Sequence, residues 1–176
     1  MLTRERFVSR ATFGNEIHLG TGAVKTLILH LKEAGLADST KSGTFLTEKG
    51  HKLTSQIQSA IPKECKIKKC SIIQGKHNHA VLLKNYSKVI KTGLEQRDYA
   101  ILYGSSGCTT MIYKNKKLVF PGDEKECFIK DVKTGNYLLE NLCPDEGDVI
   151  IISSSDDPFV AEISVKNSAL WTLASV

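Results

Sequence analysis

One stretch decides how the first part of this chain folds: residues 19–36, with the sequence LGTGAVKTLILHLKEAGL. Its apolar side chains recur with the 3.6-residue period of an amphipathic helix, at Val24, Leu27, Ile28 and Leu31. Gly35 stands where a left-handed C-terminal cap belongs. The spacing therefore predicts a helix that begins at Thr21, buries this apolar face and ends before Gly35.

The opposite face of the predicted helix is small, polar and basic. It carries Thr21, Lys25, Thr26 and Leu29. Such a face fits the major groove of duplex DNA, where amino and hydroxyl groups bond to bases and phosphates and a leucine can contact a thymine methyl group. It can equally be a solvated surface or a protein contact, and the outward Leu29 favours the protein contact.

Elements on both sides of this helix complete a compact pattern. Ser9 is expected to cap a short helix over residues 10–17. After Gly35, two short strands at residues 36–39 and 44–47 enclose a turn with Lys41 at its tip. A further helix is expected over residues 48–60. The predicted order is helix, turn, helix, hairpin, helix.

Four segments of this region resemble a winged helix-turn-helix domain. They are SRA at 9–11, LGTGAV at 19–24, LKEAGL at 31–36 and FLTEKG at 45–50. The resemblance implies that the second helix reads the major groove and that the hairpin wing touches the DNA backbone or minor groove. It assigns DNA contacts to Thr21, Lys25, Thr26, Leu29 and Lys41. Only about eight residues precede Ser9, so the family's usual first helix is expected to be short or missing.

The rest of the chain predicts a second domain, with the boundary near residue 62, so that the domains span 1–62 and 63–176. Strands are expected at 68–74, 79–84, 108–114, 117–120 and 148–153, with helices at 94–103 and after Asp156 or Asp157. The apolar residues of the last helix are expected to include Phe159, Ile163, Ala169 and Leu170. The fold class is therefore α+β.

Four runs in this second part are similar to an archaeal family that pairs a winged helix with a domain of unknown function. They are RDYAI at 97–101, SGCTT at 106–110, LVFP at 118–121 and GDVII at 147–151. The resemblance implies a two-layer α+β sandwich with a mostly antiparallel sheet. It implies no activity.

The charge is divided unevenly along the chain. Residues 1–91 hold 16 Lys and Arg against 6 Asp and Glu, whereas residues 92–176 hold 8 against 13. A basic first part suggests contact with a polyanion, although it can also serve solubility. No apolar run approaches the length of a membrane span, and no secretory signal is recognised. We therefore expect a cytoplasmic protein with reduced, mostly buried cysteines.

Two clusters could carry chemistry in the second part. Cys65, Cys70, His77 and His79 could form a metal site only on paper, because their spacing is not that of structural zinc. The run 104–110, GSSGCTT, could donate N–H groups to a small anion or form a structural turn. Candidate ligand contacts are Arg97, Ser105, Ser106 and Thr109, and Arg97 could instead pair with Asp98. We expect no catalytic residue, metal or cofactor.

These features together predict a DNA-binding transcriptional regulator. Its partners would be double-stranded DNA, a small-molecule effector and a second copy of the chain in a homodimer. One alternative is an adaptor whose winged helix docks onto protein. Another is a small-molecule enzyme fused to a helix-turn-helix.

Overall fold

The structure, a computed structural model, describes residues 2–3, 5–68 and 71–175. The chain divides into two compact units, Met1–Gln58 and Ser59–Val176. Helices and antiparallel sheets make up the described residues, so the predicted α+β class is confirmed. No helix in these ranges is long and apolar enough to cross a bilayer.

The first unit contains the predicted succession of elements. They are α1 (Arg10–Ile17), α2 (Thr21–Glu33), β1 (Ala37–Thr40), β2 (Gly43–Leu46) and α3 (Glu48–Ala60). Local signals account for their ends: the Ser9 hydroxyl accepts the Thr12 N–H at 3.1 Å, and Gly35 has a φ of 70°. Before Ser9, the described residues 2–3 and 5–8 contain no helix.

The core of the first unit is small. Its fully buried cluster consists of Val8, Phe13, Val24 and Ile28. The predicted apolar face of α2 is therefore only partly correct, since Leu27 and Leu31 are half-buried. Val8 and Thr44 exchange two backbone hydrogen bonds of 2.8 and 2.9 Å, which fasten the N-terminal segment to the hairpin.

Strands and helices alternate irregularly in the second unit. They are β3 (Glu64–Ile67), β4 (His77–Leu83), α4 (Leu94–Leu102), β5 (Gly107–Lys114), β6 (Lys117–Val119), α5 (Val132–Leu142), β7 (Val149–Ser155) and α6 (Pro158–Ala174). The sheet order is β3-β4-β7-β5-β6, and every neighbouring pair is antiparallel. The predicted antiparallel sheet is present.

The layering differs from the expected two-layer sandwich, because helices cover both faces of the sheet. On one face, Leu138 and Leu142 of α5 pack with Ile150 and Ile152 of β7. On the other face, Val149 and Ile151 pack with Val165 and Ala169 of α6. All seven residues of β7 are buried, which explains its run of consecutive aliphatic residues.

Several predictions for the second unit were wrong in detail. The strand expected at 68–74 lies earlier, at β3, because Glu64–Ile67 pairs with the core strand β4. Helix α5 was not predicted. The four cysteines in the described ranges are free thiols: Cys127 is buried, Cys65 and Cys108 are partly buried, and Cys143 is exposed. Cys70 lies outside the described residues.

Candidate nucleic-acid interface

Helix α2 presents two faces of opposite character. Val24 and Ile28 are buried on one side, and on the other Thr21, Lys25, Thr26 and Leu29 are all exposed. Leu29 is 52% exposed. The structure thus presents the four helix residues of the candidate interface together.

The polar groups on this helix differ in whether they already have partners. The His30 ring lies 3.2 Å from the Glu33 carboxylate. The Lys32 ammonium group lies 2.9 Å from the Asp38 carboxylate. The Thr26 hydroxyl donates to the Gly22 carbonyl at 3.2 Å, which leaves its oxygen able to accept. Among the described residues, Lys25 has no acidic partner. Lys25 is therefore the cation of α2 that is available to a ligand.

The start of α2 adds backbone donors to the same end of the unit. Its N-cap is Gly20, which has no side chain to bond to the first N–H groups of the helix. Unpaired N–H groups at a helix start carry partial positive charge and attract phosphate groups. The N-terminus of α2 therefore has the polarity that a DNA backbone requires.

Lys41 lies on the turn that joins β1 to β2. The turn residues are Lys41 and Ser42, and the flanking Thr40 and Gly43 are paired across the hairpin. Gly43 has a φ of 134°, and a Cβ there would lie 2.8 Å from the Val8 carbonyl oxygen, so only glycine fits. The geometry exposes Lys41, which has no acidic partner in the described part of the chain.

The boundary between the two units, after Gln58, divides the basic charge of residues 1–91 between them. Residues 1–58 hold eight Lys and Arg against five Asp and Glu, a net charge of +3. Residues 59–91 hold eight against one, a net charge of +7. Most of the basic excess of residues 1–91 thus lies in the first part of the second unit, which includes β3 and β4.

The glycine-hydroxyl run 104–110 uses its N–H groups within the fold. Those of Gly104 and Ser105 donate to the end of α4, and that of Ser106 donates to the Ser154 carbonyl at 2.8 Å. The buried Ser105 hydroxyl accepts from Gly107 N–H at 3.2 Å and from the Ser153 hydroxyl at 2.8 Å. This arrangement favours the structural turn over the anion-binding loop.

The other two ligand candidates lie apart from these bonds. Thr109 is half-buried on β5, opposite Ile152 of β7. Arg97 is exposed on α4, near Cys108. Burial raises the pKa of the Cys108 thiol to about 12, although the Arg97 charge acts in the opposite direction.

The histidine and cysteine candidates for a metal site have other surroundings. The buried His79 lies with its Nε2 atom 3.2 Å from a Glu64 carboxylate oxygen. Burial raises the pKa of the Cys65 thiol to about 11, which disfavours the thiolate that binds metals. Within residues 2–3, 5–68 and 71–175, no group of three or more His, Cys, Asp or Glu side chains could hold a metal ion.

A cleft in the second unit was not predicted as a site. It lies between β3 and α5 and has a volume of about 480 Å³. Its lining residues are Lys66, Ile67, Lys68, Lys133, Thr134 and Tyr137. We call it the lysine cleft. The lysine-rich run 63–69 was a signal for it, but the run alone does not indicate which side chains meet α5.

Comparisons with known proteins give the fold but no activity. Residues 72–173 match the family described as "Domain of unknown function (DUF4443)". The chain is similar in structure to a hypothetical protein, PH0730, from Pyrococcus horikoshii OT3, with a TM-score of 0.71 and 22% sequence identity. That match covers 99% of this chain and 89% of the other. No functionally curated protein matches.

Proposed function

This chain belongs to the family of the domain of unknown function DUF4443, and we propose that it is a DNA-binding transcriptional regulator. The observation that carries the proposal is the outward face of α2, where Lys25 is exposed and unpaired among the described residues. A helix that buries one face and offers a cation, hydroxyls and an apolar side chain on the other has the chemistry of a recognition helix.

In this proposal, the first unit is a winged helix-turn-helix domain. Helix α2 enters the major groove, so that Lys25 and Thr26 contact bases or phosphates and Leu29 contacts a thymine methyl group. Thr21 and the N–H groups at the start of α2 hold a phosphate. Lys41 on the wing contacts the backbone and adds affinity without reading sequence.

The second unit serves in the proposal as an effector-binding or dimerising domain, with no catalytic residue. A stacked pair of aromatic residues on α4 and α6 favours a pairing role. The Tyr99 and Trp171 rings stack with their centroids 5.8 Å apart, and the Trp171 ring N–H donates to the Tyr103 hydroxyl at 3.0 Å. Trp171 stays 48% exposed, and apolar surface of this kind is buried when protomers associate.

The test is DNA binding by the full chain at several salt concentrations. Genomic fragments captured by the purified protein would supply a preferred sequence, which is then compared with a scrambled duplex. We expect affinity to fall with salt, with each phosphate contact adding about 0.9 to the log–log slope. Because the first unit has a net charge of only +3, a slope of a few units is expected.

Single-residue variants distinguish the residues proposed to read the base sequence from the residue proposed to contact only the DNA backbone. Lys25→Ala and Thr26→Ala should reduce discrimination between the two duplexes, by about 1–3 kcal/mol for each good base contact. Lys41→Ala should weaken both duplexes alike and lower the salt slope by about one. Lys49→Ala is the matched control, since its ammonium group is already bonded to the Ala34 carbonyl at 2.8 Å.

The exposed Leu29 also fits an alternative, in which the outward face of α2 docks onto another protein. If the full chain binds no duplex at any salt concentration, the regulator proposal fails and the face of α2 is better explained as a protein-docking surface. If the alanine variants of Lys25, Thr26 and Lys41 instead lose affinity equally for both duplexes, the assignment of α2 as the base-reading helix is refuted.

A further inference from the structure

The lysine cleft is lined by two lysines, Lys68 and Lys133, that have no carboxylate partner among the described residues. Six other lysines of the second unit each lie within 4 Å of an acidic side chain: Lys76, Lys84, Lys114, Lys117, Lys125 and Lys166. Among the described residues, Lys68 and Lys133 have no such neighbour, as is also true of some lysines elsewhere in the unit. Lys66 borders the cleft through its carbonyl, because its side chain alternates with that of Ile67 along β3. Like charges repel when they line one cleft, so an anion between them would relieve that repulsion.

The two walls of the cleft are held together by hydrogen bonds. The Tyr137 hydroxyl of α5 donates to the Lys66 carbonyl of β3 at 3.1 Å. Asp131, the N-cap of α5, accepts the N–H of Thr134 and also that of Ser71, which follows β3 in the chain. Hydrogen bonds thus join α5 to β3 and to the segment that follows it, so a ligand would meet a formed site.

The walls of the cleft are also partly apolar. Ile67 belongs to the main core cluster, and the Tyr137 ring is 42% exposed. Lysine side chains add aliphatic stems below their ammonium groups. With a volume of about 480 Å³, the cleft lies in the range of sites for small molecules. It therefore suits a ligand with both an anionic group and a flat or apolar body.

We propose that the lysine cleft binds the phosphate group of a small organic phosphate, such as a mononucleotide, with Lys68 and Lys133 as the cationic contacts. The Thr134 hydroxyl and the Tyr137 ring complete the site, as a hydrogen-bonding group and as a surface for the organic body. This inference rests on the proposed function in one respect: it names the class of effector for the second unit. The binding itself needs no DNA.

The experiment is calorimetric titration of the full chain with AMP, GMP and inorganic pyrophosphate, and with adenosine as the ligand without phosphate. We expect a mononucleotide to bind and adenosine to bind at least tenfold more weakly, since the charged contacts are then lost. The double variant Lys68→Gln, Lys133→Gln should also lose at least tenfold in affinity. Lys117→Gln, an exposed lysine on the opposite edge strand β6, should change it by less than twofold.

Other results would overturn the proposal. They are failure of every phosphate to bind, equal binding of adenosine, and unchanged affinity in the double variant. The same double variant is also titrated with duplex DNA. If DNA affinity falls while no mononucleotide binds, the lysines contact the DNA backbone instead. If mononucleotides bind and DNA does not, the cleft assignment stands and the regulator proposal fails.

Discussion

His79, buried on β4, lies with its ring Nε2 atom 3.2 Å from the carboxylate of Glu64 on the edge strand β3. The same carboxylate lies 2.9 Å from the Lys166 ammonium group of α6. The hydrogen bond with His79, together with Lys166, lowers the pKa of Glu64 to about 2, although burial acts in the opposite direction. These contacts link the edge of the sheet to the helix that covers it.

The first prediction is that the contact between Glu64 and His79 makes the free energy of unfolding depend on pH in the acid range. Glu64 has a usual pKa of 4.5, so the folded chain binds its proton less readily than the unfolded chain. The stabilisation is fully present above about pH 4.5 and is lost as the pH falls towards 2. Glu64→Gln should lower stability at pH 6 and flatten its fall between pH 5 and pH 2.5, measured by urea unfolding.

The control for this prediction is Glu140→Gln. Glu140 is an exposed residue of α5 that forms no ion pair with any residue in the described ranges. Its pH profile should match that of the unmodified chain. A Glu64→Gln profile as steep as the control would contradict the role assigned to the contact with His79.

A second prediction concerns two buried threonines that differ in hydrogen bonding. The Thr110 hydroxyl on β5 has no partner among the described residues. The Thr172 hydroxyl on α6 accepts from Gln96 at 3.2 Å and donates to the Ser168 carbonyl at 2.8 Å. Thr110→Val should keep or raise the free energy of unfolding, by up to about 1 kcal/mol, whereas Thr172→Val should lower it by about 1–3 kcal/mol.

Thermal and urea unfolding of the two threonine variants would measure the difference. Both substitutions replace a hydroxyl with a methyl group of similar size, so packing is nearly constant. The comparison therefore isolates the hydrogen bonds. Equal losses in the two variants would show that the Thr110 hydroxyl has a stabilising role that its surroundings do not reveal.

A third prediction tests the close contact between α3 and the turn after α2. A Cβ at Gly50 would lie 1.9 Å from the Leu36 carbonyl oxygen, which already accepts the Thr47 N–H. Gly50→Ala must therefore displace backbone, and it should cost about 1–3 kcal/mol or more. Gly22→Ala is the control, because a Cβ there meets nothing within 4 Å.

Gly22→Ala should raise stability by up to about 1 kcal/mol, since alanine favours a helix more than glycine does. Differential scanning calorimetry of the full chain would measure both glycine variants. A Gly50→Ala variant as stable as the unmodified chain would mean that α3 can move away from Leu36 at little cost.

The fourth prediction concerns the proposed dimer. A two-fold dimer would place its recognition helices about one DNA turn apart, so half-sites should lie about 10 base pairs apart or at a multiple of this distance. Light scattering should give twice the mass of one chain, free or on DNA. A protein that stays monomeric at micromolar concentration, both free and on DNA, would refute the dimeric form of the proposal.

Local chemistry made much of the first unit predictable. The Ser9 cap, the apolar period of α2 and the left-handed Gly35 are each set by neighbours a few residues away, and they define α1 and α2 at the bounds the structure has. Asp157 and Pro158 likewise mark the start of α6. Such signals act within one turn of chain, so a sequence shows them directly.

Only the tertiary structure decided how distant segments meet. The central strand β7 comes last among the strands in the chain, yet it lies between β4 and β5. The lysine cleft joins β3 to α5, about 65 residues later, and the Ser105 hydroxyl is bonded to Ser153 on β7. Side chains far apart in sequence are brought together by strand pairing and core burial, whose energies depend on the whole fold. The sequence by itself therefore determined which residues could face a ligand on α2, and the fold determined which lysines share a cleft.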